Sequence, residues 1–163
     1  MIGPAFTSIA TATLTQHATR IDACLAKLTP EQVWVRASEN ENAIGNLVLH
    51  LCGNLRQYTR HAILDETDTR VRDDEFNAQG GIDIDSLRER LKAVVADAAA
   101  IVKDLSDERL AEKITVQNRE MTVLEAIFRT TEHFSQHTGQ ILYATKLLTH
   151  RELGFFTHKK ASA

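Results

Sequence analysis

His133 and His137 lie four residues apart in the segment Glu132-His133-Phe134-Ser135-Gln136-His137-Thr138-Gly139-Gln140, inside a run whose pattern is helical. At about 100° per residue, positions i and i+4 stand one turn apart on the same helix face. Two imidazoles so placed can converge on one divalent metal ion. Two ligands do not make a site, and a third must come from elsewhere in the chain. Asn46, His50, Asn54, Gln57 and His61 advance by four, four, three and four residues, forming a second stripe that is polar yet formally neutral. A solvent-facing stripe normally carries Lys, Glu and Arg, so this composition reads as a lining. If it faces the stripe of Arg129, His133, His137 and Gln140, His50 joins the pair. Three neutral nitrogens around a divalent ion leave one or more positions open for water or substrate. A metal so held lowers the pKa of bound water or a bound thiol.

The neighbours on both stripes have two readings each. Asn54, Gln57 and Gln140 either orient the imidazoles or contact substrate, or else form inter-helix hydrogen bonds that fix register. Arg129 can receive an anionic substrate group, although a salt bridge to a nearby acid is the commoner outcome for such a residue. His61 is about three turns, ~16 Å, from His50 and cannot share its ion; it reads as a surface residue near the helix end. His17 is more often a hydrogen-bonded core histidine than a fourth ligand, and His150 and His158 read as solvated. Cys52 points about 200° away from His50, and Ser135 about 160° away from His137, so neither a thiolate ligand nor a nucleophilic triad assembles. The chain has no glycine-rich phosphate loop, Cys-x-x-Cys pair or dinucleotide fingerprint.

Four helical runs must position these residues. The first spans Pro4 to Leu28, with Leu14, Ile21, Leu25 and Leu28 on one stripe. Thr29-Pro30-Glu31-Gln32 restarts the chain with a capping signal, followed by a short turn carrying Val33 and Trp34. The second run extends from Ala43 to about Leu64, with Asn42 as its N-cap and Leu47, Leu51 and Leu55 packing beside the polar stripe. Asp65 to Asp85 reads as a long irregular crossover, of the kind needed to join parallel neighbouring helices. The third run, Ser86 to Leu105, carries Leu87, Leu91, Val94, Ala98, Ile101 and Leu105 as its apolar face and is scaffold. Lys113 to Met121 changes to alternating periodicity and predicts a small hairpin. Thr122-Val123-Leu124-Glu125 caps the fourth run, which reaches about Leu148 and draws apolar surface from Leu124, Ile127, Phe128, Ile141 and Leu142. A basic tail follows from Phe155 to Ala163.

The 163 residues predict one domain, 1–163, able to bury a core unaided. A net charge of -3 with scattered basic residues gives no footprint for nucleic acid. No apolar run approaches the roughly 20 residues of a membrane span, and the N-terminus lacks the regions of a signal peptide. Cys24 and Cys52 make neither a disulfide framework nor a metal motif. The expectation is a cytoplasmic protein with reduced thiols.

Three segments together carry a resemblance. They are Asn42-Ala43-Ile44-Gly45-Asn46-Leu47-Val48-Leu49-His50-Leu51-Cys52-Gly53-Asn54-Leu55, then Arg70-Val71-Arg72-Asp73-Asp74-Glu75-Phe76, then Thr122-Val123-Leu124-Glu125-Ala126 continuing into His133 to Ile141. In order and spacing the chain resembles the DinB/YfiT-like superfamily of bacterial metal-dependent proteins. The resemblance implies an all-α four-helix bundle of up-down-down-up topology, with the long crossover between its second and third helices. It implies that His50, His133 and His137 are the metal triad, usually holding Ni²⁺ or Zn²⁺, and that the protein is a homodimer. Characterised members include S-transferases and an isomerase that use low-molecular-weight thiols. One departure stands out: many members carry Arg directly after the last histidine, where this chain has Thr138, so their substrates do not transfer here. The leading expectation is a metal-dependent enzyme of thiol S-transferase type, acting on a small molecule. The rival is a non-enzymatic, stress-related dimer that binds metal or ligand. Hydrolysis ranks below both, because it needs a general base and the stripe offers no carboxylate at the expected place.

Overall fold

Proline near the start and a regular apolar stripe make the first helix, α1, Gly3–Leu25. Gly3, Thr7, Ala10, Leu14, His17, Ile21, Cys24 and Leu25 are its buried positions, and it stops a turn before the expected Leu28. The computed structural model describes residues 2–155; of the predicted basic tail only Phe155 falls within them, and His158 lies outside. Thr29 and Gln32 form the expected reciprocal cap of α2, Pro30–Trp34. Gln32 also donates to the Leu148 carbonyl, tying this turn to the end of the last helix. The Trp34 ring lies over Gly45, where an added Cβ would come within 2.7 Å of it.

Helix α3, Ile44–Arg56, continues as a π-helical segment, Gln57–Ile63. The N-cap is Ala43 rather than Asn42, because the Asn46 side chain reaches back and accepts the Ala43 N–H at 3.1 Å. The crossover is not wholly irregular. It contains a short helix, α4, Arg72–Asn77, whose carbonyls are held from outside. Asn46 Nδ2 donates to the carbonyls of Glu75, Phe76 and Ala78, and Arg36 donates to Phe76, Ala78 and Asn46 Oδ1.

Helix α5, Ile84–Lys103, starts at an Asp83 cap and buries Leu87, Leu91, Val95, Ala98 and Val102. The expected face is therefore corrected by one position at two places, Val95 and Val102 being buried where Val94 and Ile101 were expected, while Leu105, half-buried, lies beyond the end of the helix. A short helix, α6, Asp107–Ala111, capped by Ser106, follows unannounced by the pattern. The predicted hairpin is present as β1, Lys113–Val116, and β2, Arg119–Thr122, antiparallel with Ile114 opposite Met121. Its two-residue turn, Gln117-Asn118, has positive φ at both positions (52° and 60°), the backbone of a type I′ connection.

Helix α7, Val123–Thr149, starts at a Thr122 cap that accepts the Glu125 N–H. It ends at His150 in the left-handed region. Its buried face is Val123, Ala126, Ile127, Thr130, Phe134, Thr138, Ile141 and Thr145. Leu124 and Phe128, expected to pack, are exposed at 39% and 58%.

The four long helices pack in a ring: α1 lies against α5 and α7, and α3 lies against the same two from the other side. Leu14, Ile21, Leu25, Leu51, Leu55, Leu87, Leu91, Phe134 and Ile141 fill the space between them. Each such side chain contributes about 1.5–3 kcal/mol by leaving water. The architecture is all-α apart from the hairpin, and among the described residues no helix is long and apolar enough to cross a membrane.

Candidate metal centre

Phe134, Thr138 and Ile141 turn one face of α7 into the core, which leaves His133 and His137 on the flank nearest α3. From α3, the polar stripe delivers His50, which is buried. One ring nitrogen from each of His50, His133 and His137 lies within 4.8 Å of the others, and no second group of this kind occurs among the described residues. His50 Nε2 and His133 Nε2 face each other at 2.9 Å. Ring centroids are 4.5 to 5.2 Å apart, with the planes nearly perpendicular.

Two of the ring nitrogens turned away from the cluster, those of His50 and His137, have partners that orient the imidazoles. His50 Nδ1 is 3.0 Å from Glu75 Oε2. Arg70 Nη2 lies equally near that nitrogen, at 3.0 Å, but is the shorter donor to Glu75 Oε2, at 2.8 Å. An ionised carboxylate only accepts, so with Arg70 directed to the carboxylate Nδ1 carries the hydrogen and the Nε2 lone pair faces His133. Arg70 grips the same carboxylate through Nε and Nη2, each at 2.8 Å. Burial works to raise the Glu75 pKa, but the hydrogen bonds and charge of Arg70 and His50 outweigh it, holding the carboxyl below the usual range. This pair needs a gap on α3. A Cβ on Gly53 would lie 1.8 Å from Glu75 Oε1, so only glycine admits the carboxylate. On α7, His137 Nδ1 donates to Gln140 Oε1 at 2.6 Å, again leaving Nε2 toward the cluster.

Burial pushes the His133 pKa down to about 4, aided by His137, His50, Arg70 and Arg72. Burial also lowers that of His137, against the pull of Gln140. Both imidazoles are therefore neutral near pH 7, the state that ligates metal. Nitrogens about 2.0–2.1 Å from a tetrahedral zinc ion stand about 3.3 Å apart, within the span of separations found here, so the donor set fits one ion.

The cluster is open to two depressions. A cavity of about 270 Å³ runs along His50, Asn54, Tyr58, Arg72, Arg129, Thr130, Glu132 and His133. A shallower groove of about 700 Å³ meets His50, His133 and His137 from the side of Arg72, Asp73 and Phe76. Asn54 lines the first and accepts from Thr130 Oγ1 at 3.2 Å. Arg129 lines it too, with its Nε donating to Glu125 at 2.9 Å. Gln57 lies beyond Glu75, bonded to Asp68, Arg70 and Gln117 rather than to a histidine. His61 Nδ1 donates to the Glu66 carbonyl at 2.7 Å, remote from the cluster. His17 is buried on α1, outside the cluster, and its Nδ1 has no partner among the described residues, contrary to the hydrogen-bonded core position expected for it. Cys52 faces the core, where burial pushes its thiol up to about 12.

Sequence reasoning missed Glu75, Arg70 and Phe76 as parts of this site, and the Glu132 carboxylate on the cavity wall. Their segment stood out only as a stretch matching a family pattern. No periodicity links position 75 to position 50.

A family model described as a protein of unknown function (DUF1572) matches residues 2–161. No curated protein matches the chain. Among solved structures, it is similar to a conserved protein from Enterococcus faecalis, with 16% identity and TM-score 0.75 over 89% of this chain and 98% of the other. It is similar to the DinB-like protein YjoA from Bacillus subtilis, with 18% identity and TM-score 0.69 over 90% and 95%. A histidine-to-alanine variant of a mycothiol-dependent maleylpyruvate isomerase shares 13% identity and TM-score 0.65, over 83% of this chain and 60% of the isomerase. At these identities the likeness is one of fold, all-α and DinB-like.

Proposed function

The chain belongs to the DUF1572 family of proteins of unknown function, whose fold is DinB-like, and on that footing we propose that it is a metal-dependent enzyme of thiol S-transferase type. The observation that carries the reading is the convergence of three imidazoles at the wall of an open groove. His50, His133 and His137 would hold the ion, Ni²⁺ or Zn²⁺ by the nitrogen-rich donor set. Bound there, it would lower the pKa of a thiol or water and so supply a nucleophile near neutral pH.

The chain's own residues have separable tasks. Glu75 and Gln140 hold the outward nitrogens of His50 and His137 as donors, which keeps their Nε2 lone pairs in the cluster. Three protein donors, with no fourth among the described residues, leave a coordination position for a small molecule, the arrangement of a reactive rather than a structural centre. Asn54 and Arg129 offer polar contacts along the cavity, and Gln57 and Gln140 stand behind the ligands. A second copy of the chain completes the protein as a cytoplasmic homodimer.

Metal content of untagged protein, beside a His137→Ala variant, tests this. Near-stoichiometric Ni or Zn that is lost in the variant, followed by turnover of a low-molecular-weight thiol with an electrophile, is the expected result. Protein that stays empty and takes up neither ion sinks the metal reading. Metal without turnover across a broad thiol panel favours a non-enzymatic binding role.

A further inference from the structure

The arginines around the cluster differ in what they hold. Arg36 is spent on Asn46 and the α4 carbonyls and Arg70 on Glu75 and Gln57, while Arg129 gives its Nε to Glu125 and lines only the first of the two depressions. Arg72 differs. Its guanidinium lies over the Phe76 ring, 4.8 Å from the centroid, and Phe76 in turn packs on His50 at 4.6 Å. Among the described residues it makes no ion pair or hydrogen bond, and a contact with a ring face uses none of its five N–H donors. It is the one guanidinium lining both depressions that reach His50 and His133. Asp73 and Glu132 share those walls, yet neither comes within ion-pair distance of it.

We propose that Arg72 receives the oxyanion of the small molecule that binds beside His50 and His133, so that the site selects anionic substrates, carboxylates or their tetrahedral equivalents. The stack of Arg72, Phe76 and His50 sets the distance between the anion and the cluster: the ring holds the guanidinium at the rim with its fork of donors free for a bidentate pair. Thr138 is uncharged, and its buried hydroxyl is already committed as a donor to the Phe134 carbonyl. The inference rests on the metal-centre reading and adds the charge of the ligand to it.

Co²⁺-loaded protein provides a readout independent of turnover, the thiolate-to-cobalt absorption that appears on binding. Three thiols are titrated: 3-mercaptopropionate, 2-mercaptoethanesulfonate and uncharged 2-mercaptoethanol. Wild-type protein is expected to prefer an anionic thiol, and Arg72→Ala to lose roughly tenfold in affinity for it, the size of one exposed charge-assisted pair. Arg72→Lys should recover part of the loss. Preference for the carboxylate over the sulfonate identifies a planar anion, and the reverse a tetrahedral one. A wild type without preference, or a preference that persists in Arg72→Ala, overturns the assignment while leaving the metal centre intact. Failure of the protein to take up Co²⁺ overturns the metal reading and this assignment with it.

Discussion

Glu75 touches the cluster only through a histidine, and its effect should be read in metal affinity. Removing a carboxylate that orients a ligating imidazole typically costs 10–100-fold in affinity. Glu75→Ala is expected to fall in that range, measured by competition with a chromophoric chelator, while circular dichroism stays native. Gly53→Ala provides an independent check without altering any charged group. Its Cβ would arrive 1.8 Å from Glu75 Oε1 and 3.1 Å from Arg70 Nε, so the clamp must shift. The same loss of affinity is expected, and wild-type affinity in both variants would show that His50 is oriented by packing alone. The histidines themselves were legible at this scale because i,i+4 spacing and a neutral stripe are local signals. Glu75 was not, because what makes it important is a contact made 25 residues away from His50 in the chain.

At the scale of elements, Asn46 decides where the crossover lies. Sequence placed it on a polar lining with His50, and the fold uses it as an anchor: one amide serves the start of α3 and three carbonyls of the α4 region. Asn46→Ala strands buried polar groups, each at a cost of about 1–3 kcal/mol. The expected result is a lowered denaturant midpoint, together with faster amide exchange across 72–78 than across α5. Equal protection of the two segments would mean that α4 holds itself in place. The four long helices could be read from periodicity and caps, since Thr29, Thr122 and the apolar stripes act within a turn or two. A six-residue helix has too few turns to show a period, so α4 was read as irregular. The face of α5 was misplaced for a related reason: Val94, Val95, Ile101 and Val102 are all apolar, and the choice among them is made by α1 and α3 packing from two sides.

The whole molecule should respond to pH and to its own concentration. Folding lowers the pKa values of His17, His133 and His137, burial being the largest cause in each. As pH falls below about 6.5 the unfolded chain takes up protons that the folded one refuses, so stability declines, down to about pH 4 for His133. The thermal midpoint of metal-free protein should therefore drop between pH 7.5 and 5, and His17→Gln should flatten the slope; a midpoint independent of pH would contradict neutral buried histidines. Concentration matters because of what α7 leaves outside. Phe128, Tyr143 and Leu147 are 58%, 67% and 56% exposed, with Leu124 at 39%. All four fall within about 140° of arc on one helix. Apolar side chains arrayed in this way mark a surface that is covered in solution, and the cover proposed here is a second copy of the chain. A stable contact needs about 800 Å² from each partner, so it must run along much of α7 rather than rest on one residue. Sedimentation should give a dimer, and Phe128→Glu should shift it toward monomer by burying an unpaired charge in each half of the contact. A wild-type protein that sediments as a monomer at tens of micromolar would refute the dimer and assign the α7 surface to another partner.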